Sequence, residues 1–233
     1  MAWEDEAMSG DGMDPDVVEG LRIRIDPAVG RALARSSGLG FLGSMQIDAQ
    51  IDHALGFVVI LEQRFGGAPA SVIDLGTGGG VPGLVLVACW PETRVVLMDA
   101  NERRTLFLEE TLSDWPGAER AEVVRGRAEE LGRRPQLREQ FDAVTSRSFG
   151  VPAATAECGS SFLSAGGAMV VSEPPEPSPG ERWPASGLAL VGLAATTGPR
   201  KSDRFGYQLL EKVEPLDGRY PRRVGIPSKR PLF

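Results

Sequence analysis

The sequence predicts an α/β fold built on a mostly parallel sheet, and two patterns carry that prediction. From residue 68 onward, short runs rich in β-branched residues alternate with stretches of helical periodicity, which is typical of a parallel sheet covered by helices on both faces. Before residue 68 the apolar residues recur at helical spacing alone, so an N-terminal helical extension precedes the sheet. A chain of 233 residues is long enough for one such domain with an extension.

Each predicted element follows from one of these patterns. An apolar helical pattern runs from 16 to 35 with a break at Pro27, and a second covers 48–65 and ends at Gly66-Gly67. Seven strands are predicted, the last two as an antiparallel edge: 71–75, 94–98, 121–124, 141–145, 168–171, 188–194 and 205–213. Helices are predicted between the earlier strands at 82–90, 102–112 and 153–163.

Composition divides the chain into three segments. Residues 1–14 are predicted to be an acidic disordered tail, residues 15–67 a helical cap, and residues 68–233 the sheet domain with a basic C-terminal segment. A proline-rich loop is predicted at 173–180, where neither strand nor helix is compatible with the prolines.

Charge and cysteine usage exclude several classes of protein. The net charge of −7 argues against a generic nucleic-acid coat protein, although the acids concentrate in the first 20 residues and bases in the last 34. No stretch is apolar enough to span a membrane, and the first residues lack the basic start and apolar stretch typical of a secretion signal, so we expect neither feature. Cys89 and Cys158 do not form a spaced framework, so we predict a cytoplasmic protein with buried free thiols and no metal site.

A glycine-rich loop follows the first predicted strand, in the stretch VIDLGTGGGVPG of residues 72–83. Glycines let a ligand approach the backbone, and the next helix presents free N–H groups, so the stretch is typical of an anion or nucleotide site. From Gly78 onward the spacing G-x-G-x-x-G matches the dinucleotide pattern, with Asp99 as its ribose-binding acid 21 residues on. The predicted strand, however, ends at Leu75, which makes Gly76 the first glycine of the turn and favours a different frame.

Counted from Gly76, the loop contains an acid, Asp74, then one residue, then Gly-x-Gly, which resembles motif I of class I S-adenosylmethionine-dependent methyltransferases. This resemblance implies a Rossmann-like domain with a seven-stranded, mostly parallel sheet and S-adenosylmethionine as cofactor. Gly76, Thr77 and Gly78 would then lie against the methionine portion, and Asp74 would favour its ammonium group or a water beside it. Asp99, at the end of the next strand, would accept hydrogen bonds from the ribose hydroxyls.

Three further blocks narrow the resemblance to one family. DLGTGGGVPG at 74–83 is followed by GRAEEL at 126–131, SRSF at 146–149 and RYPRRVGIPSKRP at 219–231. In this order the blocks resemble the bacterial 16S ribosomal RNA guanine-N7 methyltransferases, the glucose-inhibited division protein B family. The similarity covers roughly residues 40–231.

The family resemblance implies S-adenosylmethionine-dependent methylation of N7 of a guanine in 16S rRNA. It implies that Gly76 and Val81 line the methionine side, that Ala128 and Glu129 contact the adenosine, and that Arg147 faces the cofactor or the target as the catalytic residue. Guanine N7 already carries a lone pair, so placement of the reactants supplies most of the catalysis and no base has to remove a proton.

The C-terminal segment carries the residues expected to contact RNA. Its cations are held among prolines and suit phosphate contacts with 16S rRNA or the 30S subunit, whereas without the family resemblance a solvated tail is the favoured interpretation. These cations are Arg219, Arg222, Arg223, Lys229 and Arg230.

Two departures from the family's pattern affect residues expected near the RNA target rather than near the cofactor. Where the family commonly has a lysine after the fifth strand, this sequence has Glu173, an anion that repels RNA phosphate. Of the family's His-x-x-Asp-Ser motif only His53 remains, and its apolar helix face predicts a satisfied structural histidine. We therefore hypothesise a divergent paralogue that has changed or lost its RNA substrate. The alternatives are a methyltransferase of the same fold acting on another RNA or a small molecule, and a non-catalytic protein that binds S-adenosylmethionine.

Overall fold

The computed structural model describes residues 15–174, 181–196, 200–201 and 204–233. The predicted acidic tail at 1–14 lies outside the described residues, as do 175–180 of the predicted proline-rich loop. In the part of the chain that is described, no helix has the length and apolar character needed to cross a membrane.

One mixed sheet forms the centre of the molecule. Its strands are β1 (Ser71–Leu75), β2 (Arg94–Asp99), β3 (Ala121–Arg125), β4 (Phe141–Ser146), β5 (Leu163–Glu173), β6 (Leu193–Ala195), β7 (Arg200–Lys201) and β8 (Gly206–Lys212). The order is β3-β2-β1-β4-β5-β8-β6, and the two-residue β7 also pairs with β8. Strands β1 to β5 are mutually parallel, whereas β8 runs antiparallel to β5 and to β6. The predicted mostly parallel sheet with an antiparallel edge is confirmed: seven strands form the order given, and the short β7 is an eighth strand beside β8.

Helices cover both faces of this sheet, and three of them precede it. The described helices are α1 (Pro15–Arg24), α2 (Pro27–Gly38), α3 (Ile47–Phe65), α4 (Gly83–Cys89), α5 (Glu102–Ser113), α6 (Ala128–Leu131), α7 (Pro152–Ser160), α8 (Ala185–Ala189) and α9 (Ile226–Lys229). The predicted break at Pro27 is confirmed, because the Asp26 carboxylate caps α2 by accepting a 2.7 Å hydrogen bond from the Ala28 N–H.

The strand predicted at 188–194 is wrong over most of its length. Helix α8 occupies the beginning of this stretch, and β6 begins only at Leu193. Leu188 and Val191 are both fully buried at a spacing of three, which suits a helical turn better than a strand. A turn at Gly192, with φ of +69°, then starts β6.

The helix predicted at 153–163 ends earlier than expected, at Ser160, because Leu163 already belongs to β5. This strand has eleven residues, and the sequence predicts only 168–171 of them. Gly166 and Gly167 interrupt the apolar pattern of the first half, which hid it in the sequence. Glu173, predicted as the start of the proline-rich loop, is the last residue of β5.

Helix α3 fixes the position of the N-terminal helices over the sheet. It is buried along most of its length and shares one core with β8 and with the α2 residues Val29 and Leu33. The Tyr207 hydroxyl of β8 donates a 2.8 Å hydrogen bond to the carbonyl oxygen of His53 in α3. An ideal Cβ built on Gly56 would lie 2.2 Å from that hydroxyl, so only glycine permits this contact. The contact holds His53 beside the carboxyl-terminal edge of β5.

Candidate active site

The glycine loop leaves the sheet at its centre. Strand β1 lies between β2 and β4, where the strand order reverses, and open α/β sheets bind ligands in the crevice at such a position. Gly76 and Gly78 follow β1 with φ of +71° and +58°, a conformation that favours glycine. The loop therefore turns sharply at the edge where the family resemblance places the cofactor.

Asp74, at the end of β1, holds this loop in place through buried hydrogen bonds. Its carboxylate is 1% exposed, and its two oxygens accept hydrogen bonds from the Gly83 N–H at 3.0 Å and the Thr145 hydroxyl at 2.9 Å. Burial raises the pKa of Asp74 to about 6, although these hydrogen bonds and the charge of Arg147 act in the opposite direction. The side chain thus joins β1, the start of α4 and β4.

Asp99 holds the loop in place from the neighbouring strand β2. At the end of β2, its carboxylate accepts hydrogen bonds from the Gly78 N–H at 2.9 Å and the Asn101 N–H at 2.7 Å. Arg104 lies 3.6 Å from the same carboxylate. The acid predicted to bind ribose is therefore held directly beside the glycine loop.

The other residues predicted to bind the cofactor surround this loop or follow β3. Thr77 and Val81 are buried within the loop. Ala128 and Glu129 begin α6, and both are buried. One carboxylate oxygen of Glu129 accepts a 2.8 Å hydrogen bond from the N–H of Gly225, which ties the C-terminal segment to the predicted adenosine side.

A cavity of about 480 Å³ opens at the carboxyl ends of β4 and β5, and we call it the target cavity. Phe149 lines it and also lies against the glycine loop, because an ideal Cβ on Gly76 would be 2.7 Å from the Phe149 ring. The target cavity and the glycine loop are therefore neighbours. Its lining includes Arg147, His53, Trp183, Glu173, Arg182 and Phe205.

Three side chains in the lining carry buried polar atoms that are unpaired in the part of the chain that the structure describes. Nη1 of Arg147, both ring nitrogens of His53 and Nε1 of Trp183 have no hydrogen-bond partner among the described residues. Buried polar atoms without partners are rare in folded proteins and need an explanation. These three side chains therefore bring unpaired polar atoms together at one cavity.

His53 differs from the prediction of a satisfied structural histidine. Its ring stacks on Phe205 with centroids 4.4 Å apart, but neither ring nitrogen has a hydrogen-bond partner among the described residues. Burial, with a smaller effect from the charge of Arg147, lowers the pKa of His53 to about 3. The ring is therefore neutral at physiological pH. Burial also lowers the pKa of Arg147, while the nearby carboxylate of Asp74 opposes that shift.

Glu173 faces the target cavity but is not an isolated anion. Its side chain is 7% exposed, and the guanidinium of Arg182 lies 2.6 Å from one carboxylate oxygen and 3.4 Å from the other. Arg147 and Arg204 line the same cavity. Among the described lining residues three cations therefore accompany one anion, and these cations offset the repulsion of RNA expected from the sequence.

The C-terminal segment is folded onto the domain, and its predicted RNA-binding cations fall into two groups. Arg222 donates three side-chain hydrogen bonds of 2.6 to 3.0 Å to the fully buried Glu157. These bonds hold the Arg222 guanidinium against a buried carboxylate, away from an RNA phosphate. The other four are exposed, and Arg219 among them pairs with Asp217 at 2.9 Å: Arg219, Arg223, Lys229 and Arg230.

The family described as rRNA small subunit methyltransferase G matches residues 49–173. The chain belongs to this family. Ribosomal RNA small subunit methyltransferase G of Leuconostoc mesenteroides is 31% identical over 182 residues, covering 75% of this chain and 74% of that protein. The protein of the same name from Symbiobacterium thermophilum is 34% identical over 172 residues, with 69% of each chain covered. Membership in the methyltransferase G family confirms the predicted enzyme class and methyl donor.

Solved structures confirm the fold at lower sequence identity. An O-methyltransferase from Bacillus cereus in complex with SAH superimposes with a TM-score of 0.57, at 15% identity, over 85% of this chain and 96% of that chain. This likeness shows the Rossmann-like methyltransferase fold alone, since substrates vary widely on one fold.

Several residues of the site were missed by the sequence interpretation. Phe149 belongs to the SRSF block, but no role followed from that block for its ring. Trp183, Arg182 and Phe205 lie outside all four blocks and reach the target cavity through the antiparallel edge and the chain before it. The one signal in the sequence that could have indicated them is that several aromatic and basic residues occur close together along the chain after β5.

Proposed function

We propose that this member of the methyltransferase G family transfers a methyl group from S-adenosylmethionine to N7 of a guanine in 16S rRNA. The observation that supports this best is the contact of Phe149 with Gly76, because it places a ligand-sized cavity directly beside the glycine loop. Methyl transfer needs the two reactants in line and in contact, and this arrangement provides adjoining places for them.

The residues around the glycine loop fit the methyl donor. The open space over Gly78, whose built Cβ would meet nothing closer than 3.8 Å, leaves room for a ligand against the backbone. Asp99 lies next to that position with the acceptor oxygens that ribose hydroxyls require. We propose that Asp74 supports the loop, that Gly76, Thr77, Gly78 and Val81 hold the methionine side, and that Ala128 and Glu129 hold the adenosine. When bound, S-adenosylmethionine supplies a methyl group on a positively charged sulfur.

The chemistry of the target cavity fits an acceptor that has no proton to lose. A histidine whose pKa is about 3 is a weak base, and among the described cavity residues it is the one imidazole. Guanine N7 needs no base, since its lone pair attacks directly. We propose that the unpaired Nη1 of Arg147 contacts the guanine or its phosphate, and that Phe149 and Phe205 pack against the base.

The exposed cations of the C-terminal segment supply the contacts to RNA phosphate. We propose Arg219, Arg223, Lys229 and Arg230 for this role and exclude Arg222, which is held by Glu157. Basic side chains of this kind position RNA without reading its sequence.

Methyl transfer from labelled S-adenosylmethionine tests the proposal. Purified protein is incubated with 30S subunits, with naked 16S rRNA and with 50S subunits, and the modified nucleoside is identified by mass spectrometry. We expect one N7-methylguanosine in 16S rRNA and none in the 50S subunit. Label elsewhere, or no label while S-adenosylhomocysteine still binds, would support another substrate or a non-catalytic protein instead.

Arg147→Ala provides a second arm of this test. Loss of a charged donor at a reacting centre typically lowers the rate by roughly one hundred-fold or more. The matched control is Arg120→Ala, since Arg120 is exposed, precedes β3 and so lies at the opposite edge of the sheet. Equal rates for the two variants would remove Arg147 from the proposed mechanism.

A further inference from the structure

Glu173 occupies a position where an anion needs a reason. It is the last residue of β5, nearly buried, and it lines the target cavity together with Arg147. A buried carboxylate is costly unless its oxygens are well paired. Arg182 pairs with one oxygen at 2.6 Å and approaches the other at 3.4 Å, which leaves acceptor capacity on both oxygens.

The sheet places this carboxylate beside Arg147. Ser146 of β4 pairs with Val171 of β5, and Arg147 follows Ser146 directly. Glu173 is two residues beyond Val171, so Arg147 and Glu173 both lie at the carboxyl ends of neighbouring strands, and the side chains of both line the target cavity. A flat base bound in the cavity can therefore contact Arg147 and Glu173 at once.

Guanine has the chemistry that this pair requires. Its Hoogsteen edge carries the acceptors N7 and O6, and its Watson–Crick edge carries two adjacent donors, N1–H and the 2-amino group. When N7 faces the methyl donor, the two donors point to the other side of the ring. Adenine has no N1–H, so a carboxylate there discriminates between the purines.

We propose that Glu173, held in place by Arg182, accepts hydrogen bonds from N1–H and the 2-amino group of the target guanine. The inference rests on the proposed function and adds the residue that selects the base. It also assigns a purpose to the anion that the sequence suggested would repel RNA.

The same contact assists the reaction. The N7 lone pair forms the bond to the methyl carbon as the sulfur–carbon bond breaks, and the electron pair of that bond stays on sulfur. The positive charge passes from sulfur to the guanine ring, and no proton leaves. A carboxylate at N1–H interacts more strongly with the charged ring than with neutral guanine, so it stabilises the transition state more than the bound substrate.

Replacing the target guanine by inosine, which lacks the 2-amino group, tests the proposal with the unaltered enzyme. The substrate is naked 16S rRNA with inosine ligated in at the nucleotide that the wild-type enzyme methylates. Single-turnover methyl transfer is compared for guanine and inosine, using the wild type, Glu173→Gln and the control Glu181→Gln. Glu181 is an exposed acid outside the cavity lining, so the control makes the same charge change nearby.

We expect inosine to slow the wild type and Glu181→Gln by roughly ten- to one hundred-fold, as for loss of a good base contact. In Glu173→Gln, guanine should already react more slowly, and most of the difference between guanine and inosine should disappear. An equal inosine penalty in Glu173→Gln, or no penalty in the wild type, would overturn the proposal while leaving the proposed function intact. If the wild type methylates no guanine in 16S rRNA, the proposed function itself fails.

Discussion

Gly76→Ala should separate the geometry of the glycine loop from general stability. Gly76 has φ of +71°, where a side chain costs roughly 1–2 kcal/mol. Its Cβ would also lie 2.7 Å from Cδ2 of Phe149, so the ring must move, at a further cost of about 1–3 kcal/mol for overpacking. We expect the glycine loop to change shape to relieve this strain, and a loop of changed shape fits the ligand less well.

The assay is calorimetric binding of S-adenosylhomocysteine, accompanied by urea unfolding. We expect the affinity to fall by roughly thirty-fold or more, which corresponds to about 2 kcal/mol. Gly66→Ala is the matched control, because Gly66 has φ of +72° at the end of α3 and its Cβ would meet nothing within 4 Å. It should lower the free energy of unfolding by the backbone cost alone and leave the affinity unchanged.

A second variant isolates the contact with the ring. In the Phe149→Ala background the ring is absent, so Gly76→Ala no longer causes the clash. Gly76→Ala should therefore lower the affinity less in the Phe149→Ala background than in the wild-type background. Wild-type affinity in Gly76→Ala would refute the role of this loop. Equal losses in Gly76→Ala and Gly66→Ala would show that backbone strain anywhere in the chain produces the effect.

Three further predictions concern charge. His53 has a pKa of about 3 in the folded protein, so between about pH 6.5 and 3 only the unfolded chain binds a proton at this residue. As the pH drops through this range, the free energy of unfolding of the wild type, measured in urea, should fall relative to that of His53→Phe by up to about 1.4 kcal/mol per pH unit. A difference between the two proteins that stays constant with pH would contradict the lowered pKa. Glu157→Gln should lower the free energy of unfolding by about 3 kcal/mol, since it breaks the pair with Arg222; a loss below 1 kcal/mol would show that the pair contributes little. Arg223→Glu with Arg230→Glu should raise KM for 16S rRNA and flatten its salt dependence while kcat is kept, whereas an unchanged KM removes these residues from the RNA interface.

The sheet was predictable because its signal is local. Each parallel strand is a short apolar run bounded by turn residues, and 71–75 was predicted with the bounds that β1 has in the structure. Prediction failed where local and tertiary preferences conflict. The first half of β5 contains Gly166 and Gly167, which disfavour a strand, and it pairs with β4 only at Leu163 before the register shifts and regular pairing resumes at Ala168.

The cofactor side of the site was also accessible from the sequence, whereas the target side was not. Asp74, Gly76 and Gly78 lie within five consecutive residues, so spacing alone brings them together. Trp183 and Phe205 come from separate segments after β5 and meet His53 of α3 only in the folded chain. No periodicity or spacing links them, since their proximity depends on the antiparallel edge.

Glu173 shows why a single substitution in a family pattern is a poor guide to charge. The sequence contrasts an anion with the family's lysine and therefore suggests a lost RNA substrate. In the fold, Arg182 returns to within 2.6 Å of that anion, and Arg147 and Arg204 line the same cavity. The electrostatic potential of a site is set by all charges within a Debye length, about 8 Å at physiological salt. Exchange of lysine for glutamate is therefore compatible with RNA binding when an arginine nearby pairs with the acid, and it adds an acceptor that a lysine cannot provide.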